Sequence, residues 1–267
     1  MHAFDYQRPA TLKDAAAFLR KNENARALGG GQSLIPSLKM RLAQVPALVD
    51  LSGLEELRNV KLEGVTLTLG AGLRHFEIAT SKEVLMAIPA LARVAAGIGD
   101  RQVRNMGTLG GSLANNDPAA DYPAAVLGLG ATVHTNRRSI LADKFFVGLY
   151  ETALKPGEII TAVEFPLPKR AAYIKFKNPA SRFALVGVFV SEGAGQVRVA
   201  VTGAANGVFR VKDMEKKLGE KFAPEAIAKS KVAADKLNSD LHASAEYRAH
   251  LITVLAQRAV AAALSGK

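Results

Sequence analysis

The stretch Arg26–Lys39, which reads Arg-Ala-Leu-Gly-Gly-Gly-Gln-Ser-Leu-Ile-Pro-Ser-Leu-Lys, constrains this chain more than any other. The consecutive glycines Gly29, Gly30 and Gly31 interrupt regular structure, so they separate a short strand over Ala25–Leu28 from a helix beginning near Leu34. A loop without Cβ atoms takes positive φ and lets its backbone lie close to a ligand. Ser33 is placed to cap the helix, and Pro36 falls in the first turn, where proline is tolerated. The amides of Gly30, Gly31, Gln32 and Ser33 would then converge at a positive helix end, which suits phosphate oxygens.

A second stretch, Arg104–Asp121, repeats the device with Gly107, Thr108, Gly110, Gly111 and Ser112 ahead of a polar turn. Either loop alone reads equally well as an ordinary turn. Two in one chain point to both ends of a diphosphate, or to a diphosphate and a sugar alcohol.

Composition narrows the chemistry. The chain of 267 residues is 49% hydrophobic and can bury a substantial core. No run approaches the roughly 18 apolar residues of a spanning helix, and the first residues show no secretory pattern, so a cytoplasmic protein without a transmembrane segment is expected. There is no cysteine, which excludes disulfides, a thiol nucleophile and cysteinyl cluster ligation within this chain. The five histidines are scattered, and no metal site is expected. The net charge of +11 permits polyanion binding, but basic and acidic residues are interleaved, as over Lys212–Lys217, and no nucleic-acid module is recognisable. A solvated basic surface, part of it facing an acidic partner, is the simpler reading.

Thr11 and Asp14 form a capping box for a helix carrying Leu12, Ala15, Ala16 and Leu19 on one face. With a strand at Ala47–Leu51, residues 1–55 make a small βαβ-like unit around the first loop. Alternation over Val60–Leu69 predicts a hairpin turning at Glu63-Gly64. Helices are expected near Arg74–Thr80, Lys82–Ile88, Ala90–Gly97 and Asp121–Leu129, and strands at Ala131–Thr135 and Ile159–Phe165. Pro166 and Pro168 mark the best boundary, giving units 1–55, 56–168 and 169–267. Beyond it come strands near Ala172–Phe176, Ala184–Glu192 and Gln196–Thr202, then helices near Pro224–Leu237 and Ser244–Leu264.

Other motifs carry less. Gly70-Ala71-Gly72 follows a strand, but His75 stands where a dinucleotide fingerprint needs its third glycine, so a structural turn is preferred. Neither loop contains Gly-Lys-Ser/Thr, and Ser33 and Ser112 have no nearby histidine or nucleophile elbow. Asp100 and Asp117 read as turn caps.

Gly29–Ala43 resembles the first FAD motif of the medium (flavoprotein) subunit of molybdenum hydroxylases, the family of aerobic carbon monoxide dehydrogenase and xanthine dehydrogenase. Ile98–Ser112 with Asp117–Asp121 resembles its second motif, and Asp240–Leu251 is similar to its closing helix. The resemblance implies an α+β protein: a two-lobed FAD-binding domain of the vanillyl-alcohol-oxidase (PCMH) type followed by a C-terminal α+β domain. It implies FAD as cofactor, held through Leu28, Gly29, Gly30, Gly31, Gln32, Ser33 and Leu34 on the first motif. Ile98, Thr108, Gly111, Ser112 and Asp121 would serve on the second, with Ile160 and Lys177 nearer the flavin ring. Phe183 falls where some relatives place an aromatic. Gln32 and Ser112 replace the His and Asp of many carbon monoxide dehydrogenase members, and Asn178-Pro179 leaves open whether Lys175 or Lys177 faces the ring.

By the same resemblance, no residue here is an acid, base or nucleophile. Electrons would arrive from a large molybdenum-cofactor subunit through a small [2Fe–2S] subunit, in a dimer of heterotrimers, and leave to NAD or a quinone. Two other classes remain: a stand-alone flavin oxidoreductase, and a basic polyanion-binding module without flavin. Replacing Asp121 with Ala is expected to weaken FAD without unfolding the chain, and Val at position 30 is expected to fill the diphosphate site.

Overall fold

A computed structural model describes residues 1–193 and 195–266. The first glycine loop leaves a small sheet in which Ala47–Asp50 lies between Asp5–Gln7 and Arg26–Leu28, parallel to both. The helix Leu12–Lys21 crosses over between the outer strands. Thr11 caps it by accepting the Asp14 N–H at 3.1 Å, and Ala15 and Ala16 face inward.

The middle sheet is antiparallel throughout, in the order Val60–Glu63, Thr66–Gly70, Ile160–Pro166, Thr132–Thr135, Ser139–Leu141. Strand alternation sends Leu67, Leu69, Val133, Val163 and Phe165 into a core with Ile78, Leu91, Val94, Leu109 and Leu113 from the helices that follow. Gly70 is required by a close crossing rather than a ligand: a Cβ there would lie 2.2 Å from the Leu57 carbonyl oxygen.

The C-terminal sheet orders Arg170–Lys177, Ala184–Gly193, Gln196–Thr202 and Phe209–Arg210, all antiparallel. The long helix Ala245–Ser265, capped by Ser244, covers one face with Ile252, Leu255, Ala256 and Ala259. The helix Tyr122–Leu129 packs on the strands as well, so both faces are dry. Along Ala184–Gly193, Val186, Val188 and Val190 enter the C-terminal core while Phe189 enters the middle one. That two-sided burial explains why the strand reads as an unbroken apolar run.

Three expectations differ. The second glycine stretch is mostly helical, over Arg101–Met106 and Leu109–Asn115, because Asp100 and Thr108 each supply a side-chain cap. The helix expected at Pro224–Leu237 is only a 3₁₀ turn, Pro224–Ile227. Ser230 beyond it is held by Lys217 at 2.9 Å and gives its carbonyl to Thr253. The helix lies instead at Lys212–Glu220, where interleaved charges, including the Asp213–Lys217 pair at 2.7 Å, mask an inward stripe of Met214 and Leu218.

Glu158 fastens the turn between the middle strands, and its side chain is fully buried. Burial alone would raise its pKa, yet hydrogen bonds from Arg138, the Lys155 N–H and Thr135 outweigh it and hold the carboxyl at about 2. Because the folded pKa is depressed, this stability is complete above the ordinary value of 4.5 and is lost as pH falls through about 2. Glu158→Gln is expected to cost roughly 2 kcal/mol at neutral pH, with the gap to wild type closing in melts taken toward pH 2. A gap independent of pH would remove the carboxylate from this role.

Candidate functional site

The first glycine loop has the character its sequence predicts. Gly31 takes φ +70°, and its carbonyl accepts the Ile35 N–H at 3.0 Å, which starts the helix Leu34–Lys39. Ser33 makes no side-chain cap. Its φ of −106° and ψ of −47° are helical rather than extended, and its carbonyl is bonded by the Ser37 N–H and hydroxyl. The N–H groups of Gly30, Gly31, Gln32 and Ser33 donate to no acceptor among the described residues. Four successive amides without protein partners, on half-buried Gly30 and Gly31 and exposed Gln32 and Ser33, are open to water or to a ligand acceptor.

The second stretch is built differently. Its amides are already used: Gly107 N–H bonds Val103, Leu109 bonds Leu73, Gly110 bonds Ala71, and Gly111 bonds the Thr108 hydroxyl at 3.2 Å. Its glycines serve close approach. A Cβ on Gly30 would stand 1.9 Å from the Met106 carbonyl oxygen, and Cβ atoms on Gly29 and Gly111 would each stand 2.8 Å from Thr108 Oγ1. The two loops, far apart in the chain, are therefore in contact. A side chain at Gly30 would force them apart rather than fill the diphosphate position.

Behind the contact, Gly107 packs on His75, whose ring lies 5.2 Å from that of Tyr122. Burial, reinforced by the Arg104 charge, lowers the His75 pKa to about 4, so the imidazole is neutral at ordinary pH. Arg104 also donates to the carbonyls of Ile98 and Gly99 at 2.9 and 3.1 Å, fixing Ile98 beside this helix. On the other side Gly110 lies against Ala71, whose N–H bonds the Thr161 carbonyl at 2.9 Å. That brings Ile160 to the same region.

Asp121 lies at the start of the helix Tyr122–Leu129 and is buried. Its Oδ2 accepts Lys175 Nζ at 2.8 Å and its Oδ1 the Tyr173 hydroxyl at 2.5 Å; Lys175 also donates to the Gly97 carbonyl. Burial raises the Asp121 pKa, with Lys175 and the hydrogen bonds pulling it back. Lys175 is thus engaged within the protein, whereas Lys177, two residues on, is exposed and acts on Asp121 only through its charge. Phe183 is exposed, on the turn that Asn178 closes by accepting the Ala180 and Ser181 N–H groups. Ser112 is half-buried one turn into its helix. Among the described residues no hydrogen bond joins Asp121, Lys177 or Ser112 to the first loop. Sequence reading missed Tyr173 and His75. The period of two along Arg170–Lys177 puts residues 173, 175 and 177 on one face and was the available signal for Tyr173. Among the described residues no cluster could hold a metal ion, and no helix is long and apolar enough to cross a membrane.

Comparisons with known proteins agree with this architecture. Residues 2–168 match the family model described as FAD binding domain in molybdopterin dehydrogenase, and residues 171–263 match CO dehydrogenase flavoprotein C-terminal domain. The chain is 37% identical to the nicotine 6-hydroxylase medium subunit of Paenarthrobacter nicotinovorans, over 97% of this chain and 96% of that one. It is 34% identical to the carbon monoxide dehydrogenase medium chain of Afipia carboxidovorans, again over 97% and 96%. Among solved structures, a chain of carbon monoxide dehydrogenase from Hydrogenophaga pseudoflava superposes with a TM-score of 0.92 at 32% identity, covering 99% of this chain and 98% of that one. The protein belongs to the family of FAD-binding medium subunits of molybdenum hydroxylases, oxidoreductase components with a two-lobed FAD-binding domain followed by a C-terminal α+β domain.

Because Asp121 and Lys175 neutralise each other out of water, removing one is costly and removing both is not. Asp121→Ala is expected to lower stability by about 3–5 kcal/mol, which replaces the expectation of an intact fold. The double variant Asp121→Ala/Lys175→Met is expected to recover most of it in denaturant titrations. Equal losses in the single and double variants would show that the charges are not coupled.

Proposed function

We propose that the first loop receives the FAD diphosphate on the amides of Gly30, Gly31, Gln32 and Ser33, with Leu28, Gly29 and Leu34 as its walls. The residues fit the group: successive amides lack any other acceptor, and the glycine backbone is free of the side chains that would cover it. Ile98, Thr108, Gly111 and Ser112 hold the remainder of the nucleotide, Asp121 supports them from within the fold through its bonds to Tyr173 and Lys175, and Ile160 and Lys177 lie toward the flavin. Bound FAD supplies the conversion between one-electron delivery and two-electron transfer; the protein supplies orientation, electrostatics and exclusion of water.

The chain works as one component of a larger assembly. A molybdenum-cofactor subunit oxidises the substrate, and a [2Fe–2S] subunit carries electrons to this chain. They leave to NAD or a quinone, within a dimer of heterotrimers. The medium-chain relatives, matched over nearly their whole length, support this reading, and the absence of cysteine requires the clusters to sit elsewhere. Neutral His75 and the engaged Asp121 leave no free acid–base pair at the loops, consistent with a site that binds rather than catalyses proton transfer.

The observation that carries the reading is the contact of the two loops around the unpaired amides. Gly30→Val separates them, and FAD affinity is expected to fall by on the order of 100-fold, about 2.7 kcal/mol. Visible flavin absorbance retained through gel filtration in that variant would falsify the placement of the diphosphate.

A further inference from the structure

A second concavity has no residue of either glycine loop in its lining. It is an open groove of about 750 Å³ at the seam where the hairpin Phe146–Gly148/Glu151–Thr152 meets the segments 205–212 and 231–237. Its floor is apolar because two cores end there. Phe146 and Val208 belong to the outer shell of the middle core; Phe209, Val232 and Leu237 belong to that of the C-terminal one.

The groove extends onto an exposed apolar bank. Val147, Leu149 and Tyr150 are 55%, 52% and 57% exposed in succession along the hairpin. Exposed apolar side chains grouped on one hairpin beside an apolar groove suit an interaction surface. The bank is preformed: buried Asn116 donates its Nδ2 to the Gly148 and Glu151 carbonyls at 2.9 and 2.8 Å, which ties the two strands of the hairpin together. A surface already ordered loses little entropy on docking.

The rim carries the opposite character. Lys212, Lys231 and Lys236 stand on it against Asp235 alone. Lys212 reaches Glu215 at 3.2 Å, while Lys231 and Lys236 enter no ion pair among the described residues. Arg210, also in the wall, is spent on Asp143 and Glu215. None of the buried polar atoms lacking partners belongs to a residue of this wall, so no buried polar group there awaits a small ligand.

We propose that this groove docks a segment of a partner subunit in which acidic residues alternate with apolar ones. The acids meet Lys231 and Lys236 at the rim, and the apolar side chains fill the floor between the two cores. This rests on the reading of the chain as the medium subunit of a larger assembly. A second copy of this chain is a poor occupant, because each copy brings a net charge of +11. Nucleic acid leaves the apolar floor unsatisfied.

The test uses the whole chain, co-expressed with the molybdenum and iron–sulfur subunits of its assembly. The double variant Lys231→Glu/Lys236→Glu is compared with wild type and with Lys13→Glu/Lys82→Glu, which changes the net charge equally at distant exposed sites. Flavin absorbance per chain and the affinity and salt dependence of heteromer formation are read together. The groove variant is expected to keep full FAD content, since Lys231 and Lys236 bond no residue of either glycine stretch among the described residues. It should bind its partners about tenfold or more weakly, with a shallower salt dependence, and the distant pair should be unaffected. Wild-type affinity in the groove variant overturns the proposal, as does equal weakening in the distant pair or a change confined to self-association. A wild-type chain that holds FAD yet joins no partner overturns the subunit reading, and the groove's occupant with it.

Discussion

One steric condition governs this molecule: the backbone at Gly30 comes so close to the Met106 carbonyl that not even a methyl group fits between them. The approach lets a loop from the small parallel sheet rest on a helix junction from the middle sheet. Everything proposed for the cofactor depends on it. With the loops in contact, the amides of Gly30–Ser33 remain without protein acceptors among the described residues, and Thr108 sits between Gly29 and Gly111. The two stretches look alike in sequence yet divide the labour. The first offers open amides; the second has used its own and offers shape.

A second constraint fixes the C-terminal part against the first. Phe189 crosses from the C-terminal sheet into the middle core, and Arg198 donates to the Leu127 carbonyl at 2.8 Å while pairing with Asp143. Asp121, Tyr173 and Lys175 add a buried polar bridge from the helix Tyr122–Leu129 to the strand Arg170–Lys177. Such a bridge contributes position more than stability, since burial opposes the charged form of Asp121. Its effect is to tie the strand that carries exposed Lys177 to the helix Tyr122–Leu129.

Where periodicity and caps were strong, the sequence was legible. The βαβ unit, the hairpin over Val60–Gly70, the apolar run Ala184–Gly193 and the capped helix Ala245–Ser265 follow from local rules, because each carries its own pattern of burial or its own cap. The helix Lys212–Glu220 was hidden by interleaved charges. The helices flanking Gly107 were hidden by glycines that signal close packing as readily as a loop. Alanines after Pro224 mimicked a helical face, while side-chain hydrogen bonds from Lys217 and Thr253 held that segment in an irregular path.

Residue types alone determined that the first loop could approach a phosphate and that no thiol chemistry or internal cluster was available. They also carried the family likeness, because glycine permissiveness and the lack of cysteine do not depend on what the rest of the chain does. Only the tertiary structure decided that the two glycine stretches touch, that Lys175 is spent on Asp121 while Lys177 stays exposed, and that an apolar groove opens at the far seam. Those are relations between distant segments. They are set by how the sheets and helices close over their cores, which no local pattern encodes.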